Sequence, residues 1–153
     1  MSAPPLRKAA RAVAIDAHRR VLLLHYAEVG GFWATPGGGL EPDEDYPTAV
    51  LRELGEELGA ANVTLVAQVA ERCQDHAVAG QLVRQVEKYF LARIEASDVD
   101  PARATQTDNI RARRWWTLQE LRDTRETVYP RGLADLIADL LSHGPPEQPT
   151  VLR

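Results

Sequence analysis

Three glutamates, Glu53, Glu56 and Glu57, stand at i, i+3 and i+4 in the stretch GGLEPDEDYPTAVLRELGEELGA, Gly38 to Ala60, with Arg52 beside them. Asp45 is a good N-cap, Pro47 suits a first turn and Gly59 suits a C-terminal stop, so the stretch predicts a helix ending at Gly59. At 100° per residue, Pro47, Leu51, Leu54 and Leu58 gather within roughly 40° of one another, and the glutamates cluster about 120–130° away. The leucines are expected to face the core and the glutamates to face out together. Carboxylates at this spacing repel, and the helix macrodipole disfavours anions in its second half. A lysine at Glu53 or Glu57 would stabilise the helix by the same rules. A divalent cation reverses both effects, because three carboxylates within a turn and a half offer oxygen ligands to a hard ion such as Mg²⁺ or Mn²⁺. The plain alternative is a solvated acidic face.

The elements that would hold this helix are legible along the chain. RAVAI and RVLLLHY alternate around DAHRR and predict a β-hairpin. NVTLVAQVAERC and LVRQVEKYFLARI predict two antiparallel strands joined by a DHAVAG turn, EASDVDPARATQTDN reads as a polar surface loop, and IRARRWWTL reads as another strand. Thr117 and Glu120 make a capping box for a short helix, and GLADLIADLLSH predicts a last helix with a Leu and Ile face. The tail, residues 143–153, is expected to be flexible, leaving one domain over residues 8–142. Mixed strands with separated helices point to an α+β domain with a mixed sheet.

Composition narrows the function. The net charge of −4 over 153 residues offers no general attraction for nucleic acid, so a phosphate ligand would need a metal to supply positive charge. RKAAR and RARRWW read as solvated basic faces. Cys73 is the only cysteine, which excludes an intrachain disulfide and a thiolate metal cluster. No apolar run reaches the roughly 18 residues of a membrane span, and the start lacks a signal-peptide core, which places the chain in the cytoplasm.

The spacing Gly38, five residues, Glu44, seven residues, then Arg52-Glu53-Leu54-Gly55-Glu56-Glu57-Leu58-Gly59 resembles the signature box of the Nudix hydrolase family. Ala60 departs from the bulky aliphatic usual at the end of the box, a difference that bears on packing. FWATPGGGLEPDED before the box and RWWTLQELRDTRETVYPRGLADLI near the C-terminus are also similar to the family, in a general bacterial subgroup. The resemblance implies a Nudix fold, an αβα sandwich with a mixed β-sheet and the box as loop-helix-loop. It implies a Mg²⁺- or Mn²⁺-dependent pyrophosphohydrolase that cleaves a nucleoside diphosphate linked to another moiety by attack of water on phosphorus. An NTP, a dNTP, an oxidised nucleotide and a nucleotide sugar all fit that description. The partner it implies is a small molecule, with no stable nucleic acid and no membrane. Many relatives are dimers, so a homodimer is open to this chain.

By that resemblance Glu56 and Glu57 are the principal metal ligands, and Glu53 is a further ligand or the group that positions and deprotonates the water. A carbonyl of Gly37 or Gly38 is another ligand, and Arg52 orients the carboxylates. Gly38, Glu44 and Gly59 are structural, Glu44 as a brace against Arg52. Some members draw the general base from outside the box, and Glu87 on a strand and Asp108 in a loop are the two candidates; the strand holds Glu87 more firmly. Trp33 or Phe32 is a candidate to stack on a base, against the commoner role of an aromatic beside a strand as core, and Arg84 is a candidate to meet a phosphate, against the commoner role of a solvated strand arginine. His25, His76, Trp115 and Trp116 read as surface or packing residues. The region around Asp75 and His76 lacks the proline or tyrosine that marks ADP-ribose and diadenosine polyphosphate hydrolases, so the substrate is left open. The alternative is a catalytically silent Nudix module that binds a nucleotide or a protein; the intact glutamate trio weighs against it.

Overall fold

The computed structural model describes residues 3–153. In chain order its strands and helices are β1 (Leu6–Ile15), β2 (Val21–Tyr26), β3 (Phe32–Ala34), β4 (Gly37–Gly39), α1 (Tyr46–Leu58), β5 (Thr64–Val78), β6 (Gln81–Arg93), β7 (Ile110–Trp116), α2 (Leu118–Asp123), β8 (Val128–Tyr129), α3 (Leu133–His143) and β9 (Thr150–Leu152). The strands form one mixed sheet in the order β8-β3-β2-β1-β6-β5-β9, with β4 paired to β1 and β7 paired to β2. The α+β class, the αβα layering and the mixed sheet are as expected. No helix among the described residues is long and apolar enough to cross a membrane.

Strand alternation builds two cores, one on each face of the sheet. Ala10, Ala12 and Ala14 of β1 and Leu22 and Leu24 of β2 pack against Ala49, Val50, Leu54 and Leu58 of α1. Val13, Val21, Leu23, Tyr89 and Leu91 turn to the other face, onto Leu133, Leu136, Ile137 and Leu140 of α3. The alanines matter because a side chain of that size lets α1 lie close to the sheet, bringing its carboxylates near the backbone of β4.

The helix ends follow their chemistry. The Asp45 side chain accepts from the Thr48 N–H, and Gly59 closes α1 in the left-handed region at φ 61°. The segment expected to be a plain surface loop has a structural role: its two single 3₁₀ turns, Ala96–Asp98 and Pro101–Arg103, flank backbone N–H donors at Asp100, Thr105 and Gln106 that reach the last carbonyls of α1.

Four details differ from expectation. The β1–β2 pairing is confined to Ile15↔Val21, after which the strands part and β4 takes the edge of β1 at Ala9–Arg11, which opens the sheet into a cleft. The turn between β5 and β6 is only Ala79-Gly80, both at positive φ, the requirement of a two-residue hairpin turn; Asp75–Val78 continues the strand. The tail is not loose throughout, because Thr150–Leu152 pairs in parallel with Ala70–Arg72 and buries Leu152. On α1 the core stripe is Ala49, Val50, Leu54 and Leu58, while Pro47 and Leu51 are exposed, so the apolar face is rotated from its expected position and takes Glu57 inward with it.

That rotation sets a stability test. Leu54→Ala is expected to cost about 2–5 kcal/mol in urea unfolding, as for a fully buried leucine, whereas Leu51→Ala stays within about 0.5 kcal/mol.

Candidate active site

The carboxylates on α1 and just before it divide into two groups. Arg52 holds the first: its Nε and Nη2 donate to the two oxygens of Glu44 at 2.8 and 2.9 Å, Nη1 donates to Glu53 at 3.2 Å and to Glu56 at 3.0 Å, and Nη2 also reaches the Gly39 carbonyl at 3.0 Å. Those bonds hold the Glu44 carboxyl at about 2, well below the usual range, chiefly through the side-chain hydrogen bond from Arg52.

Glu57 stands apart and is buried, with 6% of its surface exposed. It accepts from the Tyr26 hydroxyl at 2.7 Å and from the Gly37 N–H at 2.7 Å, both neutral donors. Burial raises its pKa to about 7, against the opposing pull of those hydrogen bonds and of Arg11. Burial also pushes Glu53 up, offset in part by Arg52. Burial and the adjacent Glu57 carboxylate raise the Tyr26 phenol, keeping it a donor.

Glycine makes this proximity possible. A Cβ on Gly37, at φ 145°, would lie 2.2 Å from the Ala10 carbonyl oxygen, and one on Gly38 would lie 2.5 Å from Glu53 Oε1. Both residues therefore let β4 run between β1 and the carboxylates of α1.

Glu57 also lines a cavity of about 670 Å³, in the size range of small-molecule sites. Its walls include Tyr26, Phe32 and Tyr129, which pack on one another with Tyr26 and Phe32 stacked at 5.6 Å and Phe32 edge-on to Tyr129 at 5.3 Å. Arg11, Arg72 and Arg131 supply positive charge, and Glu87 lies among them. A smaller hollow on the other side of Tyr26 and Glu57 is lined by Glu53 and Asp108.

The structure thus brings Glu53, Glu57 and Asp108 to one hollow, Glu57, Glu87 and Phe32 to the larger cavity, and Glu44, Glu53 and Glu56 to Arg52. Two expected substrate contacts lie elsewhere. Trp33 is core, edge-on to His25 at 4.9 Å and to Trp116 at 5.3 Å. Arg84 is exposed near the end of the β5–β6 hairpin, where its Nε donates to Asp75 at 2.8 Å. RKAAR and RARRWW are not simply solvated, since Arg11 enters the cavity and Arg113 donates to the Glu57 carbonyl at 3.1 Å. Sequence reasoning also missed Tyr26, Arg72, Tyr129 and Arg131; only the alternation that sets Tyr26 at the end of β2 hinted at a role.

An all-oxygen donor set suits a hard divalent cation. Among the described residues no three His, Cys, Asp or Glu side chains close around one point as a cage. Mg²⁺ does not require one, since it keeps several waters and is commonly held by one or two carboxylates together with substrate phosphates.

Clustered carboxylates beside an arginine-bearing cavity are what cleavage of a phosphoric anhydride bond would call for. The NUDIX domain profile matches residues 5–139, and the chain belongs to the NUDIX family, as a pyrophosphohydrolase acting on nucleotide-linked diphosphates. It is similar to an RNA pyrophosphohydrolase of Rhodospirillum rubrum, 29% identical over 119 residues and covering 72% of each chain. It is also similar to an 8-oxo-dGTP diphosphatase of Proteus vulgaris, 39% identical over 71 residues, 43% of this chain and 63% of that one. In fold it matches a NUDIX hydrolase from Nitrosomonas europaea with TM-score 0.67 and 21% identity, covering 94% of this chain and 92% of the other. A divalent metal is a general requirement of the family.

The raised Glu57 pKa has a measurable consequence in metal-free protein. Between pH 4.5 and about 7 the folded state holds the proton that the unfolded state has lost, so stability falls as pH rises through that window. The melting temperature in EDTA is expected to decline from pH 5 to 7, and Glu57→Gln is expected to flatten the decline.

Proposed function

We propose that this chain is a Mg²⁺- or Mn²⁺-dependent hydrolase of nucleoside triphosphates, natural or oxidised, acting in the cytoplasm. The observation that carries the reading is the position of Glu57, shared between the glutamates of α1 and a cavity with an aromatic wall and three arginines. Stacking on Tyr26, Phe32 and Tyr129 suits a nucleobase, and guanidinium groups suit the phosphate chain.

Glu56, Glu57 and the Gly38 carbonyl would hold the metal, which when bound would neutralise charge on the diphosphate oxygens and activate water. Arg52 orients Glu53 and Glu56. Glu53 is the group that accepts the proton of the attacking water, with Asp108 across the smaller hollow as the second candidate. Glu87 ranks behind them in that role, because both its oxygens already accept from guanidinium groups.

A second reading is a 5′-triphosphorylated RNA end, favoured by the relatedness to RNA pyrophosphohydrolases; the net charge of −4 weighs against it.

Phosphate and pyrophosphate release from nucleoside triphosphates, oxidised nucleotides, dinucleoside polyphosphates, ADP-ribose and triphosphorylated RNA, with Mg²⁺, Mn²⁺ or EDTA, tests the reading. One triphosphate turned over at least tenfold above the rest, and only with metal, is the expected result. Glu53→Gln is expected to lower kcat by about 10²–10⁴; a fully active variant would remove Glu53 from its assigned role.

A further inference from the structure

The floor of the large cavity is a row of charges across three strands. Arg11 lies on β1, Glu87 on the parallel neighbour β6 and Arg72 on β5, directly opposite Glu87 in the antiparallel register. Glu87 is buried, at 6% exposure. One of its oxygens accepts from Arg11 Nε at 3.0 Å and the other from Arg72 Nη1 at 3.1 Å. Arg72 Nη2 donates to Gln74, and Arg11 Nη1 donates to the Gly37 carbonyl at 3.2 Å.

As a stabilising device this row is poor. Glu87 gives up its hydration to sit between two half-buried guanidinium groups, and apolar replacements of such triads are often no less stable. The row is also unbalanced, with two guanidinium groups against one carboxylate. Each guanidinium carries five N–H donors and engages only two of them in these bonds, so donors remain for a ligand in the cavity.

We propose that Glu87 is a positioning residue that holds Arg11 and Arg72 as a two-pronged clamp for the phosphate chain of the substrate. The clamp is tied to the glutamate helix by one residue: Gly37 accepts from Arg11 through its carbonyl and donates to Glu57 through its N–H. A phosphate chain gripped by the two arginines is thereby registered against α1. The inference rests on the cavity being the nucleotide site, as the proposed function has it, and it makes Glu87 a group that acts through the arginines.

The test compares wild type with Glu87→Gln, Arg72→Ala and Arg72→Lys. Inorganic tripolyphosphate binding is measured by calorimetry in EDTA, and steady-state kinetics use the best substrate of the panel. Losing or misplacing a charge-assisted phosphate contact is expected to weaken tripolyphosphate binding and raise KM about tenfold to a hundredfold, with kcat within about threefold, the pattern of an interaction made equally in ground and transition states. Arg72→Lys is expected to recover only part of the loss, because an ammonium cannot reproduce the guanidinium fork. A collapse of kcat in Glu87→Gln with KM unchanged would overturn the inference in favour of direct proton transfer. Unchanged binding in Arg72→Ala, or no tripolyphosphate binding by wild type, would also overturn it. Should Glu87→Gln melt early, the Arg72 variants decide, since they leave Glu87 paired to Arg11. A wild type that binds tripolyphosphate yet hydrolyses nothing in the panel would sink the proposed function alone.

Discussion

The Arg52 guanidinium allows carboxylates to crowd on one helix and the segment before it. Glu44, Glu53 and Glu56 would repel one another, and each takes at least one of its N–H groups, while the Gly39 carbonyl takes another. A planar fork with five donors can serve four acceptors at once; a lysine ammonium has three donors and no fixed plane. The same contacts bind the segment before α1 to the helix, so the glycine strand β4 and the carboxylates share one rigid unit.

Glu57 lies beyond the reach of that guanidinium, and its two oxygens meet only a phenol and a peptide N–H. The result is an uneven distribution of charge. One carboxylate, Glu44, is heavily compensated by Arg52, and another, Glu57, is buried without a direct cationic partner. Uncompensated negative charge next to a cavity rich in arginine is what a metal and a phosphate chain can complete together.

The cavity itself follows from strand register. On the α3 face, β1 presents Val13 to the core and then Arg11, β6 presents Leu91 and Tyr89 and then Glu87, and β5 presents Ala70 and then Arg72. On β6 and β5 the apolar side chains run on to Tyr89 and Ala70, level with Arg11, and the charged pair Glu87 and Arg72 stands one step beyond. The early parting of β1 and β2 leaves that level open to solvent, with Tyr26 and Phe32 at its rim.

Sequence by itself determined the local elements and the glutamate helix. The Asp45 cap, the Gly59 stop and the Thr117–Glu120 box act over a few residues, and strand alternation and helical spacing are periodic signals that need no partner. The brace between Glu44 and Arg52 was expected from the resemblance of the Gly38–Ala60 stretch to the Nudix box, and the structure shows that contact. Tertiary structure alone decided which glutamate turns inward, because a rotation of α1 that exposes Leu51 and buries Glu57 depends on how closely alanines on β1 let the helix approach. It also decided that Arg11, Arg72 and Glu87, far apart in the chain, would meet, that Trp33 would be core while Phe32 met the cavity, and that residues 150–152 would join the sheet. Those outcomes rest on long-range register and packing, where one residue of slip reverses every side chain, and no local pattern in the sequence carries that information.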